Sequence, residues 1–176
     1  MKKELRAYYR SVRKNQSHLD PEVNQNLIKL VEKYSKIALY MSMKNEVNLE
    51  SLINKLFSTK ELYLPAVEGE LVFHRFRRWS DLSTDQANIL APIRGEVIEI
   101  NELDAIVMPC IAANMSGYRL GYGGGYFDRA LAHYHGVKVG VLIEACLTNE
   151  AFQEEFDVPM DVLVTEKRII EIKKKG

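Results

Sequence analysis

The sequence predicts an α/β fold, a three-layer α/β/α arrangement around a mostly parallel central sheet, of a Rossmann-like variant. Two observations predict it. From Lys36 onward, short and near-continuous apolar runs alternate with helix-like segments, and strands that are apolar on both sides belong to parallel sheets covered on both faces. A glycine-rich stretch then joins one apolar run to a helix-like segment, and loops at that place in α/β sheets carry ligands.

Residues 2–15 are predicted helical. Leu5, Tyr9 and Val12 share an apolar face, and Lys2, Arg6, Arg10 and Arg13 fall on a separate stripe. Asp20 before Pro21 marks a second helix start, an N-cap followed by a first-turn proline, with Val23, Leu27, Leu30, Val31 and Tyr34 on its buried face. Strands are expected at 37–41 and 62–67, with a helix at 49–57 between them. A half-exposed strand is expected at 71–76. Residues 79–95 give no periodic signal, and Pro92 argues for a loop there. Further strands are expected at 97–100, 105–108, 137–143 and 162–165, with a helix at 126–135 and a closing strand at 168–173.

The 176 residues fit one domain, 1–176. Twenty-four Lys and Arg balance twenty-four Asp and Glu, so bulk charge does not favour a general polyanion-binding role. The basic run 173–175 reads as a solvated tail. No apolar stretch approaches the roughly 18–20 residues of a membrane span, and the basic start is not followed by the apolar core of a signal peptide. Cys110 and Cys146 sit in apolar segments without a C-x-x-C pair, as inert buried thiols do. A reducing cytoplasm is the expected compartment.

The densest signal is RLGYGGGYFDR at residues 119–129. Gly121, Gly123, Gly124 and Gly125 let the backbone reach positive φ and let a ligand approach closely. Successive N–H groups in such a loop can form an anion nest, and the following helix adds its positive end. The bland alternative is a tight turn that only needs small residues. The string lacks the Gly-Lys-Ser/Thr of a Walker loop, and Tyr126 stands where a dinucleotide fingerprint needs its last glycine. A phosphate-binding loop is the expectation. Asp128 lies beside that loop, where a carboxylate near phosphates calls for Mg²⁺; the alternative is a favourable charge on the helix dipole, worth about 0.3–1 kcal/mol. Asp161, directly before an apolar strand, fits a functional carboxylate and ordinary edge solvation equally well.

This loop resembles the RLGYGGGYYDR signature of the 5-formyltetrahydrofolate cyclo-ligase family, with Phe127 in place of the second tyrosine. The resemblance extends along the chain. KKELR at residues 2–6 is similar to the family's start, and YMSMKNEVN at 40–48 to its strand and turn around a glutamate, here Glu46. ELDAIVMPC matches the strand before the loop, with Cys110 where the family usually has glycine after proline. FDVPMDVLVTE at 156–166 is similar to its D-x-x-x-D-x-x-x-T-E segment.

The resemblance implies closure of 5-formyltetrahydrofolate to 5,10-methenyltetrahydrofolate, with ATP as co-substrate and a phosphorylated formyl intermediate. Matched position by position, it implies ATP contacts from Lys2, Lys3, Glu4, Leu5 and Arg6, and from the stretch Arg119, Leu120, Gly121, Tyr122, Gly123, Gly124, Gly125, Tyr126 and Phe127. Arg119 and Tyr126 would act in catalysis. Met41, Glu46 and residues 122–126 would contact the folate, and Asp128 with Asp161 would hold Mg²⁺. Small-molecule partners, no nucleic acid, no membrane and a monomer are the expectations. Phosphoryl transfer asks mainly for positioning and charge neutralisation, which suits Lys2, Arg6 and Arg119. Glu46, acceptor-only when ionised, suits a donor-rich pterin edge.

Other candidates carry less. His74, His133 and His135 show no ligand spacing, and Phe73, Phe76 and Trp79 read as core. Two other readings compete: a non-catalytic sensor of nucleotides or sugar phosphates, and an RNA-binding N-terminal helix.

Overall fold

A computed structural model of the chain describes residues 1–173; of the basic run 173–175, all but Lys173 lies outside them. The eight strands of the main sheet are β1 (Lys36–Ala38), β2 (Glu61–Glu68), β3 (Glu70–Phe76), β4 (Val97–Ile98), β5 (Ala105–Pro109), β6 (Val137–Val141), β7 (Val162–Val164) and β8 (Ile169–Glu171). Their spatial order is β8-β7-β6-β5-β1-β2-β3-β4. The inner strands β7-β6-β5-β1-β2 are parallel, and β8, β3 and β4 add antiparallel edges. Helices α1 (Lys2–Arg13), α2 (Asp20–Val31), α3 (Glu50–Leu56) and α4 (Tyr126–Leu131) complete the fold. A small sheet places Ala112–Asn114 between Arg119–Leu120 and Leu147–Thr148.

Successive side chains of a strand point to opposite faces. Burial of every residue in 105–108 and 139–141 therefore means that both faces of the central strands are covered. The apolar runs that predicted a parallel sheet are buried for that reason. The edge strand β8 alternates, with only Ile170 buried. On the helices, Val23, Leu27 and Val31 of α2 and Leu52 and Ile53 of α3 turn inward. Each such side chain contributes about 1.5–3 kcal/mol by leaving water.

From β1 the chain runs outward through β2, β3 and β4, then returns to lay β5 on the other flank of β1. The connections at the carboxyl ends of β1 and β5 diverge there and leave a crevice, the usual ligand position in open α/β sheets.

Some elements differ from expectation. α4 stops at Leu131 instead of running to His135. The Tyr134 hydroxyl donates to Leu103 O at 2.7 Å, and Asn101 Oδ1 accepts from His135 N at 2.9 Å, so side-chain ties draw the segment off the helical path. Asp20 does not cap α2. Its carboxylate accepts instead from Arg13 Nη2 at 2.7 Å. The strand expected at 97–100 is confined to β4, with a 3₁₀ turn at Ile100–Glu102. The aperiodic stretch 79–95 contains a hairpin pairing Ser83–Thr84 with Leu90–Ala91. Asp85 organises it, accepting from the amides of Val67, Ala87 and Ile89 at 2.8, 2.7 and 3.0 Å.

Candidate functional site

The glycine loop leaves the small sheet at Leu120 and enters α4 at Tyr126. Gly123 and Gly125 take φ of +99° and +72°, a region that other L-residues enter at a cost of about 1–2 kcal/mol. Among the described residues, the N–H groups of 121–125 donate to no protein acceptor, while the carbonyls of Gly121, Gly124 and Gly125 each accept a hydrogen bond. Arg6 Nε donates to Gly121 O at 2.6 Å and Arg129 Nη1 to Gly124 O at 2.9 Å. With two of the carbonyls held by arginine side chains, the free amides form a set of donors of the kind that receives anions. α4 is a single short helix, so anion affinity at this loop would rest on these amides rather than on its dipole.

On one side of the loop lies a cavity of about 370 Å³ lined by Lys2, Arg6, Arg119, Asp128, Glu154 and Asp157 together with the glycines. Lys2 and Arg6 come from adjacent turns of α1, where the basic stripe meets the loop. Arg119 Nη1 donates to Pro109 O at 3.0 Å, and its guanidinium lies 4.9 Å from the Phe127 ring centroid. Its Nε is buried and without a hydrogen-bond partner among the described residues. A buried donor without a partner costs about 1–3 kcal/mol, which an anionic ligand could offset.

On the other side, at the crevice between β1 and β5, lies a second cavity of about 330 Å³. Met41, Pro65, Val67, Leu71, Ile89 and Phe127 make its walls largely apolar, and Glu46 gives it a carboxylate. Glu46 Oε1 accepts from Met43 N at 2.6 Å. Burial pushes its carboxyl above the ordinary glutamate value, opposed by the Met43 amide, the Tyr122 hydroxyl and Arg119. The Tyr122 phenol is in turn pushed up by burial and by Glu46, and its ring lies 5.2 Å from the Arg10 guanidinium. Arg119, Tyr122 and Gly125 line both cavities. A flat apolar ligand and a polyanion would therefore meet across one thin wall.

The expected site residues divide clearly. Lys2, Arg6, Arg119, Leu120, Gly121, Tyr122, Gly123, Gly125 and Asp128 gather in the polar cavity; Met41, Glu46, Gly124, Tyr126 and Phe127 line the apolar one. Lys3 and Glu4 are exposed, with Glu4 paired to the N-terminal ammonium at 3.1 Å, and Leu5 packs against the core. Those three line neither cavity.

Asp161 corrects the expected metal pair. It precedes β7 at the amino end of the sheet, where its Oδ2 accepts from Lys138 N at 2.8 Å with Lys138 Nζ at 3.6 Å. Asp128 shares the polar cavity with Asp157 instead, and Asp128 Oδ1 accepts from the amide of the next residue, Val158, at 3.2 Å. Two carboxylates beside unoccupied amide donors are hard-oxygen ligands of the kind Mg²⁺ takes together with phosphate oxygens and water. No cluster of three or more metal-ligating side chains forms among the described residues, so such an ion would draw most of its shell from ligand and solvent.

Sequence reasoning missed Asp157, Glu154, Arg10 and the hairpin residues Asp85, Ala87 and Ile89. Asp157 was within reach, being the first aspartate of the D-x-x-x-D string whose second was chosen. The remaining candidates fall as expected. Phe73 and Phe76 are buried, Trp79 meets Phe76 edge-to-face with ring centroids 5.0 Å apart, and His74 bonds Gly95 O and Glu68. Burial pushes the Cys110 thiol up to about 11 and the Cys146 thiol up to about 12, as befits unreactive cysteines. No described helix is long and apolar enough to cross a membrane.

Fold and site together define an α/β protein with a mostly parallel sheet, whose glycine loop with free amides backs onto an apolar pocket. The chain belongs to the 5-formyltetrahydrofolate cyclo-ligase family, whose profile matches residues 1–166. It is 30% identical to the 5-formyltetrahydrofolate cyclo-ligase of Haemophilus influenzae over 93% of this chain and 97% of that one. It is 31% identical to that of Escherichia coli K12 over 77% and 80%. The NMR structure of Aquifex aeolicus 5,10-methenyltetrahydrofolate synthetase superimposes with a TM-score of 0.88 at 36% identity, over 99% of this chain and 94% of that one. A Mycoplasma pneumoniae 5,10-methenyltetrahydrofolate synthetase shares the fold, with a TM-score of 0.76 at 24% identity over 94% and 98%.

Proposed function

We propose that the protein closes 5-formyltetrahydrofolate to 5,10-methenyltetrahydrofolate, with ATP as co-substrate and ADP and phosphate as products. The observation that carries this reading is the shared wall of Arg119, Tyr122 and Gly125 between an apolar and a polar cavity. A pteridine in the one and a polyphosphate in the other would share those three residues.

The formyl oxygen attacks the terminal phosphorus and ADP leaves. The neighbouring N–H nitrogen then attacks the activated carbon, and as the C–O bond breaks its proton leaves with the released phosphate. The chain's contribution is placement and charge neutralisation. The amides of 121–125, with Lys2, Arg6 and Arg119, receive the polyphosphate. Arg119, whose Nε lacks a partner, stabilises charge on the transferring group. The ring of Tyr126 walls the folate side, and Glu46 accepts hydrogen bonds from the donor-rich pterin edge. Asp128 and Asp157 are the residues that would hold Mg²⁺, which would supply neutralisation of the phosphate charge.

Purified protein with Mg-ATP and 5-formyltetrahydrofolate, followed at the absorbance of the methenyl product, tests the reading. Turnover that requires both substrates supports it, and folded protein without turnover defeats it.

A further inference from the structure

The turn that carries Glu46 is held from behind by buried polar side chains. Four backbone groups in succession are tied: Glu46 O accepts from Arg13 Nη2 at 3.2 Å, Val47 O from the Tyr40 hydroxyl at 2.8 Å, Asn48 N donates to Asp20 Oδ2 at 3.2 Å, and Asn48 O accepts from Asn24 Nδ2 at 2.8 Å. Arg13 and Asp20 themselves pair at 2.7 Å. Arg13, Asp20 and Asn24 are 7%, 8% and 3% exposed, among the few buried polar residues of the chain.

A buried ion pair is weak evidence for stability, since apolar residues of similar volume often serve as well. Stability alone does not account for charges buried at this place. Within the turn, the Glu46 carboxylate closes on Met43 N at 2.6 Å, but that bond does not tie the turn to the body of the protein. Met43, Lys44 and Asn45 are exposed, Asn45 sits at φ +70°, and the turn's own backbone contributes the single bond Glu46 N to Met43 O. Arg13 lines neither cavity. It lies on the same helix as Lys2, Arg6 and Arg10, which reach the loop side of the site. Its guanidinium turns inward to the backbone of the residue that faces the pteridine.

We propose that the Arg13–Asp20 pair is a positioning element for Glu46, setting affinity for the folate substrate rather than for the nucleotide. The folate half rests on the function proposed above. The positioning half rests only on the hydrogen bonds.

The test is a double variant, Arg13→Met with Asp20→Val, which leaves no orphan charge in the core, alongside Arg13→Lys. Both are first checked for folding by circular dichroism and thermal melting. The double variant is expected to raise KM for 5-formyltetrahydrofolate about tenfold or more and to leave KM for ATP within about twofold. Amide exchange at residues 46–48 in the ligand-free protein should accelerate, while exchange in β5 and β6 stays unchanged. Arg13→Lys, which keeps the charge beside Asp20, should recover part of the folate affinity. Unchanged folate KM in the folded double variant, or an equal rise in both KM values, overturns the proposal. Should the wild-type chain itself not turn over, the function reading fails, and exchange at 46–48 decides the positioning claim: acceleration there upholds it and unchanged exchange overturns it.

Discussion

Lys2 Nζ lies 2.7 Å from Asp157 Oδ2 and 3.1 Å from Glu154 Oε1, a contact spanning 155 positions of sequence. A partly exposed pair of this kind adds at most about 1 kcal/mol. Its consequence is geometric: the first turn of α1 is drawn against the carboxylates that face the glycine loop, so the N-terminal helix closes one side of the polar cavity.

Asp157 and Asp161 are thereby separable by mutation. Asp157→Asn and Asp128→Asn are expected to lower kcat/KM for Mg-ATP by about a hundredfold or more and to raise the Mg²⁺ concentration needed for half-maximal rate. Asp161→Asn should keep near wild-type kinetics and lose about 0.5–1.5 kcal/mol of stability through its bond to Lys138 N. Steady-state kinetics with a magnesium titration, beside urea melts, checks all three.

Gly125→Ala meets two penalties. Its φ of +72° disfavours any side chain, and the added Cβ would sit 2.8 Å from Arg129 Nη1. The expected loss is about 1–2 kcal/mol of stability, with KM for ATP raised because the loop's amides shift. Gly69, also at positive φ but with open space around its Cβ position and on neither the polar cavity nor the glycine loop, is the control for KM of ATP. Its alanine variant should lose stability without changing that KM.

Glu46 gives a prediction of definite sign. Burial holds its carboxyl above the ordinary glutamate value. The folded state therefore binds the proton more tightly than the unfolded chain, and stability falls as pH rises from the unfolded value through the folded one. At neutral pH the ionised side chain is a cost to stability, so Glu46→Gln should melt no lower than wild type while folate KM rises. In the wild type, folate KM should climb on acidification at a pH higher than an unperturbed glutamate would dictate. The glutamine variant should show no such climb. A melt and a KM-against-pH profile check both.

The hairpin over the apolar cavity depends on Asp85, which holds three amides. Asp85→Ala should free the wall formed by Ala87 and Ile89, raising folate KM by about tenfold with ATP KM little changed. Substrate titrations of the two ligands read the difference.

Much of this architecture was legible because its signals are local. The buried runs at 105–108 and 139–141 read as parallel strands because apolar residues on both faces have no other common explanation, and RLGYGGGYFDR reads as a loop at positive φ because its glycines permit what other residues do not. The stripe of Lys2, Arg6 and Arg10 was visible at helical spacing. What escaped was long-range. Asp85 and Ile89 reach the pocket only because a hairpin folds over the crevice, and nothing in 79–95 is periodic. Asp161 directly precedes its strand, at the amino end, while parallel sheets bind ligands at the carboxyl ends; which aspartate of D-x-x-x-D reaches the loop is set by the path of the chain before β7. Asp20 looked like an N-cap, and its partner Arg13 belongs to another helix.

Isotope transfer tests the central claim most directly, namely that the wall of Arg119 and Tyr122 brings the formyl oxygen to the terminal phosphate. With substrate carrying ¹⁸O in the formyl group, one labelled oxygen should appear in each released phosphate. Methenyl product formed with unlabelled phosphate would contradict the account.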